Sequence, residues 1–229
     1  MNKKTPPPKI FVEMEKPKTK DLHILCAHLD DFEISCYGYL FKHHKKYKDI
    51  YLHVATTNEY KEKITVENVT ELCDKIRASI IYRNHGGNST RLRTQMDDLK
   101  HSVYLSIDFK RGFDILCHDS NDLHTDHQVC NEIMMGLFKL SDRFVTYYSP
   151  SSINFEPNYF IELTKKQYKC KTSAIESYDI KKDHSYSKVG YYLSGHWNIG
   201  MAHVMENCAK YKSEYYDIYK IKKWTTNGD

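Results

Sequence analysis

Two short segments concentrate histidines and carboxylates in this chain of 229 residues. The first is "AHLDDFE", residues 27–33, and the second is "DLHTDH", residues 122–127. Histidine nitrogens and carboxylate oxygens are the usual protein ligands of a catalytic zinc, which takes about three of them and keeps one position open. His28 and Asp31 are three residues apart, and the two histidines of the second segment repeat this spacing, so a tight turn can direct each pair toward one point. The histidine and the aspartate left over would supply the acid and the base that hydrolysis needs.

Both segments follow apolar runs of the length and composition of strands buried on two faces. Between these runs, apolar residues recur at helical spacing over 34–44, 69–80, 103–107 and 129–137. Strands that alternate with helices predict a single-domain, Rossmann-like α/β fold, with a doubly wound, mostly parallel sheet and helices on both faces. In such a sheet ligands gather at the carboxyl ends of the strands, so both segments are expected to face one crevice. The predicted strands are "LHILCA" (22–27), "IYLHVATT" (50–57), "FDILCH" (113–118) and "RFVTYYS" (143–149).

The pattern is less regular after Pro150. "YFIEL", residues 159–163, suits an added strand, 165–178 suits a helix, and 200–221 is interpreted as a closing helix. The polar, aromatic stretch 179–198 is predicted to be a loop over the site. Its His196 and Trp197 are candidates for substrate contact.

Composition narrows the class of protein. Residues 1–20 form a basic arm rich in lysine and proline, with no apolar stretch typical of a secretory signal, and 21–229 are predicted to be one domain. No apolar run has transmembrane length. The seven cysteines are odd in number and include no CxxC pair, which favours reduced thiols and a cytoplasmic location. A net charge of +4 and the lack of a recognised binding motif disfavour nucleic acid as a partner.

Each segment taken alone has a simpler interpretation. Paired aspartates at a helix start usually cap the helix, because carboxylates satisfy the free amides there. A single HxDH is likewise common in capped or solvated turns. Two such segments at strand ends of one predicted sheet favour a site over two coincidental caps.

"AHLDDFEI", followed about ninety residues later by "DLHTDH", resembles the signatures of the PIG-L/LmbE family of N-acetylglucosaminyl deacetylases, and its first motif is similar to that of the bacillithiol branch. A weaker resemblance extends through Lys171–Tyr178 and Val204–Cys208, so the similarity spans about residues 21–210. The resemblance implies a zinc-dependent hydrolase that removes the acetyl group from a small N-acetylated amino-sugar conjugate by attack of a metal-bound water.

The resemblance also implies roles for individual residues. His28, Asp31 and His127 match the zinc ligands, with other divalent metals possible. Asp30 matches the general base. His124 matches the residue that polarises the amide carbonyl and protonates the leaving amine, and Asp126 the carboxylate that orients that histidine. For Glu33 two interpretations are open, substrate binding or buttressing of the first helix.

Several departures from the family pattern concern substrate contacts. Leu29 replaces a proline, Tyr37 adds bulk to a small-residue stretch, and Asn68 stands where an arginine is common. One alternative function is therefore a degenerate member that only binds a sugar or a nucleotide. If the chain is an enzyme, we expect the conjugate to be anionic, because cations are predicted in the surrounding loops. These cations are Arg83, Arg91, Arg93, Lys181, Lys182 and Lys188, with Tyr186, Tyr191 and Tyr192 among them.

Overall fold

The computed structural model describes residues 19–89, 91–179 and 215–224. Its strands are β1 Lys20–Cys26, β2 Tyr47–Thr56, β3 Ile80–Gly87, β4 Gly112–His118, β5 Arg143–Tyr147, β6 Tyr159–Glu162 and β7 Tyr216–Trp224. Its α-helices are α1 Asp31–Ser35, α2 Tyr37–His43, α3 Glu59–Ile76, α4 Met96–Tyr104, α5 Thr125–Met135 and α6 Lys165–Glu176. Short 3-10 turns cover His44–Lys46, Leu92–Gln95 and Ser177–Asp179.

The strands form one sheet in the order β3-β2-β1-β4-β5-β7-β6. The first five strands are parallel, and β7 runs antiparallel to both β5 and β6. The order reverses direction between β1 and β4, which is the position where α/β sheets open a crevice at the carboxyl ends of their strands. The predicted Rossmann-like fold is confirmed.

The sheet is covered on both faces, as the lack of alternation in its strands predicted. Leu22 and Ile24 of β1 pack in one apolar cluster with residues of α2, α3 and α6. Leu25 points to the other face and packs with residues of α4 and α5. Both clusters consist of residues that are nearly or fully inaccessible to solvent. Apolar packing on both faces therefore holds the central strands in position.

Two parts of the sequence-based assignment are wrong. The predicted closing helix over 200–221 is wrong for its last residues, since 216–221 belong to β7, whose tyrosines and isoleucines favour a sheet. Residues 200–214 lie outside the described residues. The predicted helix over 69–80 stops at Ile76, because Arg77 adopts a left-handed conformation with φ 54° and ends α3. Ile80 then begins β3, a strand that the sequence analysis missed.

The predicted strands β1, β2, β4 and β5, the added strand β6, and helices α5 and α6 are confirmed. The helix predicted to reach 107 is present as α4, but it ends at Tyr104, before Leu105 and Ile107. The first predicted helix is broken at Cys36 into α1 and α2. The arm up to residue 18, the predicted loop with His196 and Trp197, and the Val204–Cys208 element lie outside the described residues.

Candidate metal centre

The first segment forms the turn that follows β1. The Ala27 carbonyl accepts hydrogen bonds from the Thr56 amide (3.1 Å) and hydroxyl (2.8 Å), which joins the carboxyl ends of β1 and β2. Asp30 occupies the N-cap position of α1, but its side chain makes no capping hydrogen bond. The Asp31 carboxylate instead accepts a hydrogen bond from the His28 amide at 2.7 Å. The capping interpretation of the paired aspartates is therefore wrong for this helix.

The second segment forms the start of α5, beyond the end of β4. His124 is the N-cap residue, and its Nδ1 accepts a hydrogen bond from the Asp126 amide at 3.2 Å. In a neutral ring this leaves the proton on Nε2, so His124 presents an N–H donor. His127 lies in the first turn of α5 and is buried, whereas His124 is exposed.

Three of the predicted side chains converge on one point. His127 Nε2 lies 3.3 Å from His28 Nδ1. His127 Nε2 lies 3.5 Å from Asp31 Oδ1, and His28 Nδ1 lies 3.4 Å from the other oxygen, Asp31 Oδ2. Ligands at about 2.0–2.1 Å from a tetrahedral zinc are separated by about 3.3–3.4 Å. The spacing of these three groups therefore suits a divalent ion of this kind.

The tautomers of His28 and His127 also suit a divalent ion between them. Asp126 Oδ2 lies 3.2 Å from His28 Nε2, and Asp122 Oδ2 lies 3.0 Å from His127 Nδ1. A carboxylate only accepts, so in neutral rings these outer nitrogens carry the protons. His28 Nδ1 and His127 Nε2 are then unprotonated, and their lone pairs face each other. A cation between the two nitrogens would stabilise this arrangement. Histidine ligands with a carboxylate on the far nitrogen are the usual pattern at metal sites.

The carboxylates of this cluster raise the pKa values of both His28 and His127. Burial alone lowers the pKa of His28, but the hydrogen bond and charge of Asp31, with Asp30 and Asp126, raise it to about 9. The pKa of His127 is also raised, because Asp31 and Asp122 outweigh its burial. The cluster is thus strongly attractive to positive charge, whether a proton or a metal ion.

His124 behaves differently from these two histidines. Burial and the neighbouring His127 and His28 lower its pKa, so its ring stays neutral near pH 7. Its ring centre is 4.6 Å from those of both neighbours. The Asp126 side chain contacts His28, whereas its backbone amide contacts His124. The histidine whose far nitrogen Asp126 holds is therefore His28, which differs from the expected pairing with His124.

Asp30 extends from the same turn as Asp31 but meets a different neighbour. Its Oδ2 lies 3.1 Å from Lys61 Nζ, near the N-terminus of α3. Sequence analysis gave no role to Lys61, and no spacing signal connects it to Asp30 across 31 residues.

Glu33 lies behind the centre rather than in it. It is fully buried, and its Oε1 accepts hydrogen bonds from Asn68 Nδ2 (3.1 Å) and the Tyr178 hydroxyl (2.9 Å). Burial raises its pKa to about 8. These contacts join α1 to α3 and to the 3-10 turn that follows α6, which favours the buttressing interpretation of Glu33.

Two residues near the centre were missed as individual sites. Asp122 stands five residues before His127 and accepts hydrogen bonds from Ser151 (2.6 Å) and Ser149 as well. His118, the last residue of β4, lies 3.2 Å from Asp31 Oδ2. The sequence could have indicated His118 through its position at the carboxyl end of a predicted strand, where ligands gather. Among the described residues, two further triplets have single ligand atoms within 4.8 Å of one another, namely His28, His124 and His127, and Asp31, His118 and His127. The set of His28, Asp31 and His127 differs from both, because its two histidines approach different oxygens of Asp31.

The predicted cations for an anionic conjugate are only partly described. Arg83 lies in strand β3, not in a loop, with its guanidinium 6.0 Å from the Tyr51 ring centre. Arg93 forms an ion pair with Glu132. These contacts favour structural roles for both arginines. The lysines and tyrosines of 181–192 lie outside the described residues.

Comparison with known proteins places the fold, although no family model and no curated protein matches the chain. A conserved protein from Thermus thermophilus is similar at a TM-score of 0.65 and 14% identity, over 91% of this chain and 99% of that one. The hydratase GalB from Pseudomonas putida, which acts on 4-carboxy-2-hydroxymuconate, has a TM-score of 0.64 and 11% identity, over 92% and 99%. An N,N'-diacetylchitobiose deacetylase from Pyrococcus horikoshii has a TM-score of 0.62 and 16% identity, over 89% and 83%.

These identities establish a shared fold and leave the reaction to be argued from the site. The three proteins are not all of one activity, since a hydratase and a deacetylase are both among them. None of the described helices has the length and apolar character needed to cross a membrane.

Proposed function

We propose that this chain is a metal-dependent N-deacetylase that hydrolyses the acetamide of a GlcNAc-type amino-sugar conjugate. The observation that carries the proposal is the convergence of His28 Nδ1, His127 Nε2 and the Asp31 carboxylate within 3.5 Å of one another. The match of both motifs to the PIG-L/LmbE signatures and the shared fold with a diacetylchitobiose deacetylase support the substrate class.

His28, Asp31 and His127 would hold the ion, with zinc the default for this mixture of nitrogen and oxygen ligands. When bound, the ion would supply Lewis-acid activation of the attacking water and of the amide carbonyl. Asp122 and Asp126 would keep the two histidines in the tautomer that presents an unprotonated nitrogen inward.

The remaining residues of the cluster would move protons. Asp30 would accept the proton of the attacking water, held in place by Lys61 at 3.1 Å. His124, neutral and with its proton on Nε2, would donate a hydrogen bond to the oxygen that gains charge in the transition state. The leaving amine would take up the proton that Asp30 accepted from the water, with His124 assisting by holding the departing group in place.

The test is acetate release by zinc-loaded protein from N-acetylglucosamine, N,N'-diacetylchitobiose and a negatively charged N-acetylglucosamine conjugate. We expect release from at least one sugar, and a preference for the charged conjugate that weakens as salt rises. Asp30→Asn provides the control for contaminating activity. Tight zinc binding without acetate release from any of these sugars would contradict the proposal.

Two other functions are separated by the same panel. A degenerate, sugar-binding member would bind the sugars without turnover. A hydratase, the activity carried by one structure of this fold, would add water to an activated carbon–carbon double bond and release no acetate.

A further inference from the structure

His118 is fully buried at the carboxyl end of β4, next to the candidate metal centre. Its carbonyl accepts a hydrogen bond from Asn131 Nδ2 at 2.7 Å, which joins the end of β4 to the helix that carries His127. Of the two ring nitrogens of His118, Nε2 lies near hydrogen-bond partners, whereas the buried Nδ1 has none among the described residues.

The orientation of the ring argues against a ligand role for His118. Its ring is stacked on that of His127, with centres 3.8 Å apart and planes 17° apart. The lone pairs of nearly parallel rings run side by side rather than toward one ion. The rings of His28 and His127, by contrast, are inclined by 55° with centres 5.2 Å apart. The Nε2 atom of His118 also accepts a hydrogen bond from the Ala27 amide at 3.1 Å.

We propose that His118 is a positioning residue of the metal centre, which fixes the three ligands relative to one another without binding the ion itself. It contacts all three ligand-bearing segments. The ring face packs on His127, and Nε2 accepts the amide of Ala27, the residue before His28. Asp31 Oδ2 lies 3.2 Å from the same nitrogen, as a packing neighbour and not as the acceptor of a hydrogen bond from it. This inference rests on the proposed metal-dependent function.

The experiment measures zinc affinity by chelator competition and the absorption spectrum of the Co²⁺-loaded protein, in full-length variants. His118→Phe keeps a stacking face but removes the nitrogen that holds Ala27. His118→Gln keeps an acceptor within the pocket but removes the ring. We expect zinc binding to weaken about 10–100-fold in His118→Phe, the range for residues that orient ligands. The Co²⁺ spectrum should keep the intensity of an unchanged ligand set, and His118→Gln should recover part of the affinity.

His23→Phe is the matched control, because His23 is also buried, lies on a strand and stacks on an aromatic ring, that of Tyr51. Its affinity for zinc should equal that of the wild type. If His118→Phe does not fold, His118→Gln alone decides, with a several-fold loss expected.

Wild-type affinity in both His118 variants would overturn the inference, as would a changed Co²⁺ spectrum that marks His118 as a ligand. A wild-type protein that binds zinc tightly but releases no acetate would contradict the proposed function alone. A wild-type protein that binds no divalent ion would overturn both.

Discussion

Asp30 and Asp31 are adjacent in the chain but contact different partners. Substitution of one should therefore have a different effect from substitution of the other. Asp31 is buried among histidine nitrogens, whereas Asp30 extends toward Lys61. Asp30→Asn should retain zinc and lose about 10²-fold or more in turnover, because it removes a proton acceptor and no ligand. Metal content and acetate release in the same preparation measure this. Loss of the metal with an unimpaired rate after reconstitution would mean that the two roles are reversed.

Removal of a ligand should have the opposite signature. Asp31→Asn or His127→Ala is expected to lower zinc occupancy at equal free zinc, because two ligands no longer define a closed set. Metal analysis after dialysis against a zinc buffer tests this. Full occupancy in both variants would exclude them as ligands.

Asp122 gives a third prediction at this scale. Its carboxylate holds His127 Nδ1 and accepts two serine hydroxyls. Asp122→Asn replaces an acceptor with a group that can donate, so His127 can take the wrong tautomer, and zinc affinity should fall about 10–100-fold. Asp119→Asn is a suitable control, since Asp119 is also buried but pairs with Thr146 and Lys222. Equal zinc affinity in the two variants would count against this role.

The elements behind the site depend on a buried ion pair. Lys171 of α6 and Asp217 of β7 are both buried and joined by an ion pair. Asp217 Oδ2 also accepts the Gly38 amide at 3.0 Å, and a Cβ at Gly38 would overlap this carboxylate. The pair therefore fixes α2 against α6 and the sheet.

Lys171→Met should lower the free energy of unfolding by about 3–5 kcal/mol, because it leaves the Asp217 charge buried without its partner. Urea denaturation monitored by circular dichroism measures the change. Lys169→Met, on the exposed side of the same helix, controls for the loss of a lysine and should change stability little. Equal midpoints for the two variants would show that the pair does not hold these elements.

The elements also show how far the sequence predicts the fold and the site. Strands buried on both faces and periodic helices were recognisable, because each carries its burial pattern locally. The end of α3 was not, since only the left-handed conformation at Arg77 separates it from β3. The helical interpretation failed over 216–221, because the tertiary pairing of β7 with β5 and β6 determines the structure of these residues. Similarly, the motifs identified the side chains that converge, but not the contacts of His118 or Lys61, which come from distant elements.

At the scale of the whole molecule, a second group of histidines lies across the sheet, with His23 on β1, His53 on β2 and His85 on β3. His23 Nδ1 lies 3.3 Å from His53 Nε2, and His53 Nδ1 lies 3.1 Å from His85 Nε2. Burial, and then the charge of Arg83, lower the pKa of His23 and His85 to about 4, and burial lowers that of His53 well below its usual value. These residues cross three strands and are packed rather than ligating.

The lowered pKa values of these three histidines predict that the free energy of unfolding depends on pH. A histidine with a folded-state pKa near 4 and an unfolded-state pKa near 6.5 binds its proton first in the unfolded chain. Its contribution is therefore complete above pH 6.5 and declines as pH falls toward 4, by about 1.4 kcal/mol per pH unit for each such group. Urea denaturation from pH 7 to 4 should show this decline, and His23→Phe should reduce its slope. An unchanged slope in His23→Phe would exclude His23 as a source.

The position of β7 inside the sheet has a consequence for synthesis. β5 pairs with β7, and among the described strands β6 pairs only with β7, although Tyr216 comes 69 positions after Tyr147 in the chain. At 5–20 residues per second, a ribosome needs roughly 3–14 s to make that stretch. During this interval the nascent chain presents the bonding edge of β5 to its surroundings, and an open edge of this kind pairs readily with other chains. Of the described strands, the last to be translated is the one that closes this edge.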